Sequence, residues 1–115
     1  MNKRLVGTEY ESKAAEFLES NGYVILERNY RCRTGEIDII AREGRTLCFV
    51  EVKYRSGKGC GSPLEAVDYH KQKKILGVAR YYMMKKGLPD DTDCRMDVVA
   101  IEGDEITVLR NAFGE

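Results

Sequence analysis

The chain has 115 residues, its 19 Lys/Arg balance 19 Asp/Glu to a formal net charge of zero, and 43% of it is hydrophobic. That length suits a single domain spanning residues 1–115, one that buries roughly two-thirds of its unfolded surface without disulfides or a structural metal. No stretch approaches the ~20 apolar residues of a membrane span and Met1-Asn2-Lys3-Arg4-Leu5 lacks a signal peptide's apolar core, so a soluble, cytoplasmic protein with no membrane partner is expected.

Cys32, Cys48, Cys60 and Cys94 are widely spaced with no CxxC, and His70 is the only histidine, which favours free thiols over a zinc site or a disulfide framework. The zero net charge conceals a segregation: residues 28–86 hold 14 Lys/Arg against 6 Asp/Glu, and the remainder 5 against 13. If folding preserves this separation, a polyanion is offered one side of the molecule; if folding mixes the signs, it is not.

In chain order, Thr8 reads as an N-cap with Glu11 completing a capping box, and Tyr10, Ala14, Phe17 and Leu18 form a helical stripe that Asn21-Gly22 ends. Tyr23-Val24-Ile25-Leu26, continuing towards Tyr30, predicts a strand, followed by the basic turn Arg31-Cys32-Arg33-Thr34-Gly35. A hairpin over residues 35–43 and 46–55 comes next, then the glycine-rich loop of Gly57, Gly59 and Gly61. Ser62-Pro63-Leu64-Glu65 is a helix start, and the helical pattern runs to Gly87 with room for a break near Tyr69-His70. Strands at Met96–Ile101 and Ile106–Leu109, joined by Gly103-Asp104, complete the order α-β-β-β-α-β-β, an α/β sheet with helices packed on it.

The hairpin carries the chemistry. With Gly44-Arg45 as a type II′ turn, Glu43 opposes Thr46, which sets Asp38 opposite Glu51, Glu36 opposite Lys53 and Arg55 opposite Thr34. Ile37, Ile39 and Ala41 then face Val52, Val50 and Cys48 as one apolar surface. Directly opposed Cβ atoms stand about 4.5–5.5 Å apart, so Asp38 and Glu51 could share a divalent cation, and without one they repel. Lys53, on the same face as Glu51, could orient an attacking water and stabilise charge on a phosphorane. The plainer reading of the same residues is a solvated charge ladder, with Glu36 and Lys53 as a cross-strand ion pair.

Gly35-Glu36-Ile37-Asp38, Phe49-Val50-Glu51-Val52-Lys53, Lys71 and Arg95-Met96-Asp97-Val98-Val99 resemble the motifs of the YraN-type family of small bacterial proteins. Through that family the chain is similar to archaeal Holliday-junction resolvases and to PD-(D/E)xK nucleases. The resemblance implies a restriction-endonuclease-like core with a mixed sheet of about five strands. It also implies an Mg²⁺- or Mn²⁺-dependent endonuclease acting on DNA, branched DNA included, with Asp38, Glu51 and Glu11 as metal ligands and Lys53 as the catalytic lysine. Ile37 stands where the general motif has proline, and Tyr10 where relatives often have glycine. A homodimer would suit a two-strand substrate, though no stretch identifies an interface.

Each residue also has a structural explanation. Glu11 either caps its helix or serves a metal. Lys71 or Gln72 could contact phosphate while Lys73 and Lys74 make a solvated face, and Arg33, Arg55 and Lys58 would flank the acids as phosphate contacts. Asp97 beside Arg95 reads as structural. The competing functions are a nucleic-acid-binding module that keeps the fold without catalysis, and an interaction scaffold that binds no nucleic acid.

Overall fold

The computed structural model describes residues 3–55 and 67–114. Its elements are α1 (Lys3–Ser20), β1 (Tyr23–Cys32), β2 (Gly35–Glu43), β3 (Thr46–Arg55), α2 (Tyr69–Lys85), β4 (Cys94–Glu102) and β5 (Glu105–Phe113). This is the α-β-β-β-α-β-β order that the sequence predicts. The strands form one sheet in chain order, antiparallel except for β3 and β4, which run parallel. A parallel pair needs a crossover long enough to return the chain to its starting edge, and the segment containing α2 supplies it.

The helices cover opposite faces of the sheet. Ala14, Ala15 and Leu18 of α1 pack on Ile39, Ala41, Cys48, Val50 and Val99. Ile75, Val78, Ala79 and Tyr82 of α2 pack on Ile40, Phe49, Met96 and Val98. A strand buried on both faces needs apolar residues at successive positions, and Val98-Val99-Ala100-Ile101 in β4 is that run. The charge segregation survives across the helices. α1 exposes Glu9, Glu16 and Glu19 against one exposed lysine among the described side chains, Lys13, on one side, whereas α2, on the other, carries Lys71, Lys73, Lys74, Arg80 and Lys85 with no acid.

Helix boundaries depart from the sequence expectation. α1 begins at Lys3, so Thr8 lies within it and forms no N-cap; Glu11 is mid-helix and free for another role. A capping-box pattern is a local signal, and continued i→i−4 bonding overrides it. The Ser62-Pro63 start lies outside the described residues. α2 as described begins at Tyr69, where the Asp68 carboxylate accepts the Lys71 N–H at 2.8 Å, at the position where a break was expected.

The β2–β3 turn has Gly44 at φ +61, while Arg45 is not among the positive-φ residues, the combination that type II′ requires. The predicted register holds from Glu43↔Thr46 through Ile39↔Val50. There the ladder ends, and the Val52 N–H donates instead to Asp38 Oδ2 at 2.8 Å. On the other side of β2, Arg28↔Ile39 and Tyr30↔Ile37 leave Asn29 and Asp38 unpaired between them, with Asn29 at φ +54. Residues two apart on a regular strand share a face, yet Ile39 packs under α1 and Ile37 under α2. The single apolar surface expected for Ile37, Ile39 and Ala41 is therefore corrected to Ile39 and Ala41, because the pleat breaks at Asp38. The pairings of Asp38 with Glu51, Glu36 with Lys53 and Thr34 with Arg55 do not form part of the ladder.

A second interior aspartate is fully compensated. Asp97 is completely buried and accepts from Tyr23 Oη at 2.8 Å, Arg95 Nε at 2.9 Å and the Asn111 N–H at 2.9 Å. Arg95 extends to Glu43, which Arg110 also grips at 2.9–3.0 Å, and these two guanidinium groups hold the Glu43 carboxyl down to about 2. Removing one partner strands a buried charge. Asp97→Ala should lower unfolding free energy in urea titration by about 3–5 kcal/mol. A loss of under about 1 kcal/mol would mean the network is dispensable.

Candidate metal and nucleic-acid site

The break in the hairpin places three carboxylates together. An oxygen from each of Glu11 on α1 and Glu36 and Asp38 on β2 lies within 4.8 Å of the other two, all three side chains being half-buried. Glu11 reaches the cluster because Ala14, Ala15 and Leu18, one helical turn and two turns on, seat α1 on the sheet. The Asn29 amide, oriented with its nitrogen towards Glu11, donates to both carboxylate oxygens at 3.0 and 2.6 Å. Glu36 also pairs with Arg31 on β1.

Glu51 lies nearby but is balanced differently. Only 4% exposed, it has Lys53 Nζ at 3.5 Å and Lys71 Nζ at 3.4 Å, both against Oε1. Two ammonium groups thus meet one carboxylate, while the cluster around Asp38 carries excess negative charge. Burial, and next the charge of Glu51, push the Asp38 carboxyl up to about 7, against the lowering effect of the Val52 N–H. Burial and the neighbouring Asp38 and Glu36 raise Glu11 in the same direction. A divalent cation would reverse both shifts. The donors are all carboxylate oxygens with no sulfur or imidazole, a set that fits a hard cation such as Mg²⁺ or Mn²⁺.

Of the residues singled out from sequence, the structure brings together Asp38 and Glu11, and separately Glu51, Lys53 and Lys71. Gln72 is occupied: its amide donates to the Val67 carbonyl at 2.9 Å. Arg33 is exposed in the β1–β2 turn. Arg55 ends β3 beside Glu102 of β4; its side chain, like Lys58, lies outside the described residues. Sequence reasoning missed Glu36 as a member of the acidic cluster, having paired it with Lys53, and missed Asn29, whose only signal is the tolerance of Asn for positive φ. It also missed the stack of Tyr10 on Tyr54, with centroids 3.8 Å apart and Lys13 Nζ 5.6 Å from the Tyr10 ring. The available clue was position, since Tyr10 precedes Glu11 and Tyr54 follows Lys53.

The five-stranded mixed sheet between two helices is the restriction-endonuclease-like fold, and on it acids stand on both arms of an opened hairpin with a lysine two residues beyond the second acid. Among solved structures the chain is similar to Hjc, a Holliday junction resolvase from Archaeoglobus fulgidus, with a TM-score of 0.58 over 90% of this chain and 75% of that one. At 18% identity the likeness is one of fold. The chain belongs to the family described as Uncharacterised protein family UPF0102, whose model matches residues 10–101. It is 50% identical to a UPF0102 protein of Lachnoclostridium phytofermentans over 98% of this chain and 96% of that one. Members from Methylococcus capsulatus, 44% identical over 97% and 93%, and Desulforapulum autotrophicum, 47% over 96% and 94%, are also similar. No helix among the described residues is long and apolar enough to cross a membrane.

The Asp38 shift has a consequence for stability. A carboxyl raised from 3.8 to about 7 on folding keeps a proton that the unfolded chain releases, so stability falls as pH rises through that window and levels off above it. Asp38→Asn preserves an acceptor for Val52 and removes the charge. In chelator, its melting temperature should exceed wild type by roughly 4 °C or more at pH near 8 and differ little near pH 4. Equal differences at both pH values would contradict the raised state.

Proposed function

We propose that the protein is a metal-dependent endonuclease-like phosphodiesterase acting on DNA, branched DNA included. The observation that carries this reading is the under-compensated acidic cluster of Asp38, Glu11 and Glu36 beside the Glu51–Lys53 pair, at the point where the hairpin opens. Asp38, Glu11 and Glu51 would hold Mg²⁺ or Mn²⁺; Glu36, within 4.8 Å of Asp38 and Glu11, would join those two, whereas Glu51 would have to reach in from its lysine pair outside that cluster. A divalent cation bound there would supply Lewis-acid neutralisation of the scissile phosphate.

The chain's own residues do the rest. Asp38 is fixed by the Val52 N–H, so its second oxygen is presented at a constant position. Lys53 Nζ, on the same strand face as Glu51, orients the attacking water and offsets charge building on phosphorus. Lys71, at the first turn of α2, and exposed Arg33 take the flanking phosphates, with Arg55 and Lys58 as further phosphate contacts. Substrate approach from the α2 side is favoured by the five basic residues of that helix, and the acids on α1 disfavour the opposite side.

Two measurements test this. Mg²⁺ or Mn²⁺ should raise the wild-type melting temperature progressively with concentration, and Asp38→Ala should abolish most of that rise. Incubation with single-stranded, duplex, flap and four-way-junction DNA plus either metal should give cutting that Asp38→Ala and Lys53→Ala each reduce by about 100-fold or more. Cutting that survives both substitutions, or fails on every substrate, refutes the catalytic reading. The two lysines already matching Glu51 favour a second reading, in which the surface binds nucleic acid without cleaving it. Salt-sensitive binding with no metal-dependent product would select that one.

A further inference from the structure

At the hairpin-turn end of the sheet, on the α2 face, lies a groove of about 470 Å³. At 1.5 Å per helical residue it is about 22 Å along α2 from Lys71, so it stands apart from the acidic site. Arg42, Arg45 and Lys86 form its rim, all three exposed, and no acidic residue among the described ones lines it, Glu27 standing beside Lys86. Arg42 and Arg45 have no ion-pair partner among the described residues, and Lys86 has only Glu27, at 3.7 Å.

The floor is apolar: Leu26, Leu47 and Leu88, with the edge of Tyr82. Leu26 is 43% exposed, a large apolar side chain left facing water. The backbone holds each wall. The β1–β2 register shifts between Ile25 and Glu27, which turns Leu26 outward. Arg42 and Leu47 are direct cross-strand partners. Gly87 at φ +66 ends α2 so that the Leu88 N–H returns to the Met83 carbonyl at 2.9 Å. The groove is therefore formed in the free protein, and an occupant need not pay to organise it.

We infer that this groove docks an acidic, amphipathic segment of a partner protein. Two or more carboxylates would engage Arg42, Arg45 and Lys86, while a leucine- or phenylalanine-like side chain seats on Leu26, Leu47 and Leu88. Charge complementarity selects the sign of the occupant, since Arg42 and Arg45 are unmatched among the described residues and only Lys86 is shared, with Glu27 at 3.7 Å. The apolar floor selects a peptide over nucleic acid. A phosphate backbone would use the cations and leave the leucines wet, and Tyr82, at 5% exposure, offers no ring face on which a base could stack. Exposed ion pairs contribute little individually, so the apolar anchor must supply the specificity.

The test is fluorescence anisotropy with a labelled peptide of alternating Asp and Glu that ends in Leu-Phe, beside the same peptide ending in Ala-Ala. Micromolar binding is expected for the first, roughly tenfold weaker binding for the second, and a loss of about tenfold on Arg42→Glu or Arg45→Glu. Both are surface substitutions that leave the acidic site untouched, and circular dichroism checks that each variant is folded. No saturable binding, equal binding of both peptides, or indifference to both substitutions overturns the inference. If short duplex DNA displaces the peptide and Arg45→Glu weakens DNA equally, the groove belongs to a nucleic-acid surface instead. If light scattering shows that Arg45→Glu dissociates an oligomer, its occupant is a second copy of the chain. Either outcome also overturns the inference.

Discussion

The structure turns on one hydrogen bond, from the Val52 N–H to the carboxylate of Asp38. Inside a sheet each backbone N–H needs an acceptor, and where the β2–β3 pairs stop at Ile39↔Val50 that acceptor is a side chain instead of the facing strand. The substitution opens the hairpin without leaving a buried donor unsatisfied. It also fixes Asp38 in a partly desolvated position beside another acid, which is why its proton is hard to remove. α1 and β1 meet the opening from one side with Glu11 and Asn29; α2 meets it from the other with Lys71.

The two interior aspartates separate structure from chemistry. Each sits at an irregularity in a strand ladder, and each has nearby an asparagine at φ +54, Asn29 for Asp38 and Asn111 for Asp97. Asp97 is met by a tyrosine, an arginine and a backbone N–H, with Arg110 closing the network through Glu43. A polar network satisfied at every member stabilises one arrangement and has nothing left to bind. The acids around Asp38 keep unused oxygens and an unfavourable concentration of charge. Such an imbalance is what distinguishes the proposed site from the structural network of Asp97.

α2 connects two surfaces of different character. Its first turn places Lys71 against Glu51 at the acidic site, and its C-terminal end, with Tyr82 in the last turn and Lys86 as the cap, borders the basic, apolar groove. The helix is basic along its length and faces away from the acids of α1, so nucleic acid at one end and an acidic peptide at the other are both electrostatically compatible with the same face.

The element order, the type II′ turn and five rungs of the hairpin register were legible in the sequence. Hydrophobic alternation and turn chemistry are local properties, and Ile39, Ala41, Cys48 and Val50 obey them. So was the nearness of Glu51 and Lys53, which lie on one strand at a spacing that the pleat alone brings to one face. Tertiary structure decided what alternation could not. Ile37 crosses to the α2 side, Glu36 turns from Lys53 to the acidic cluster, and Glu11 loses its capping role because the helix continues past Thr8. Those outcomes depend on where strands stop pairing and on which helix covers the gap. A sequence carries period and chemistry, but the point at which a ladder gives way is set by the packing of α1, β1 and α2 around it.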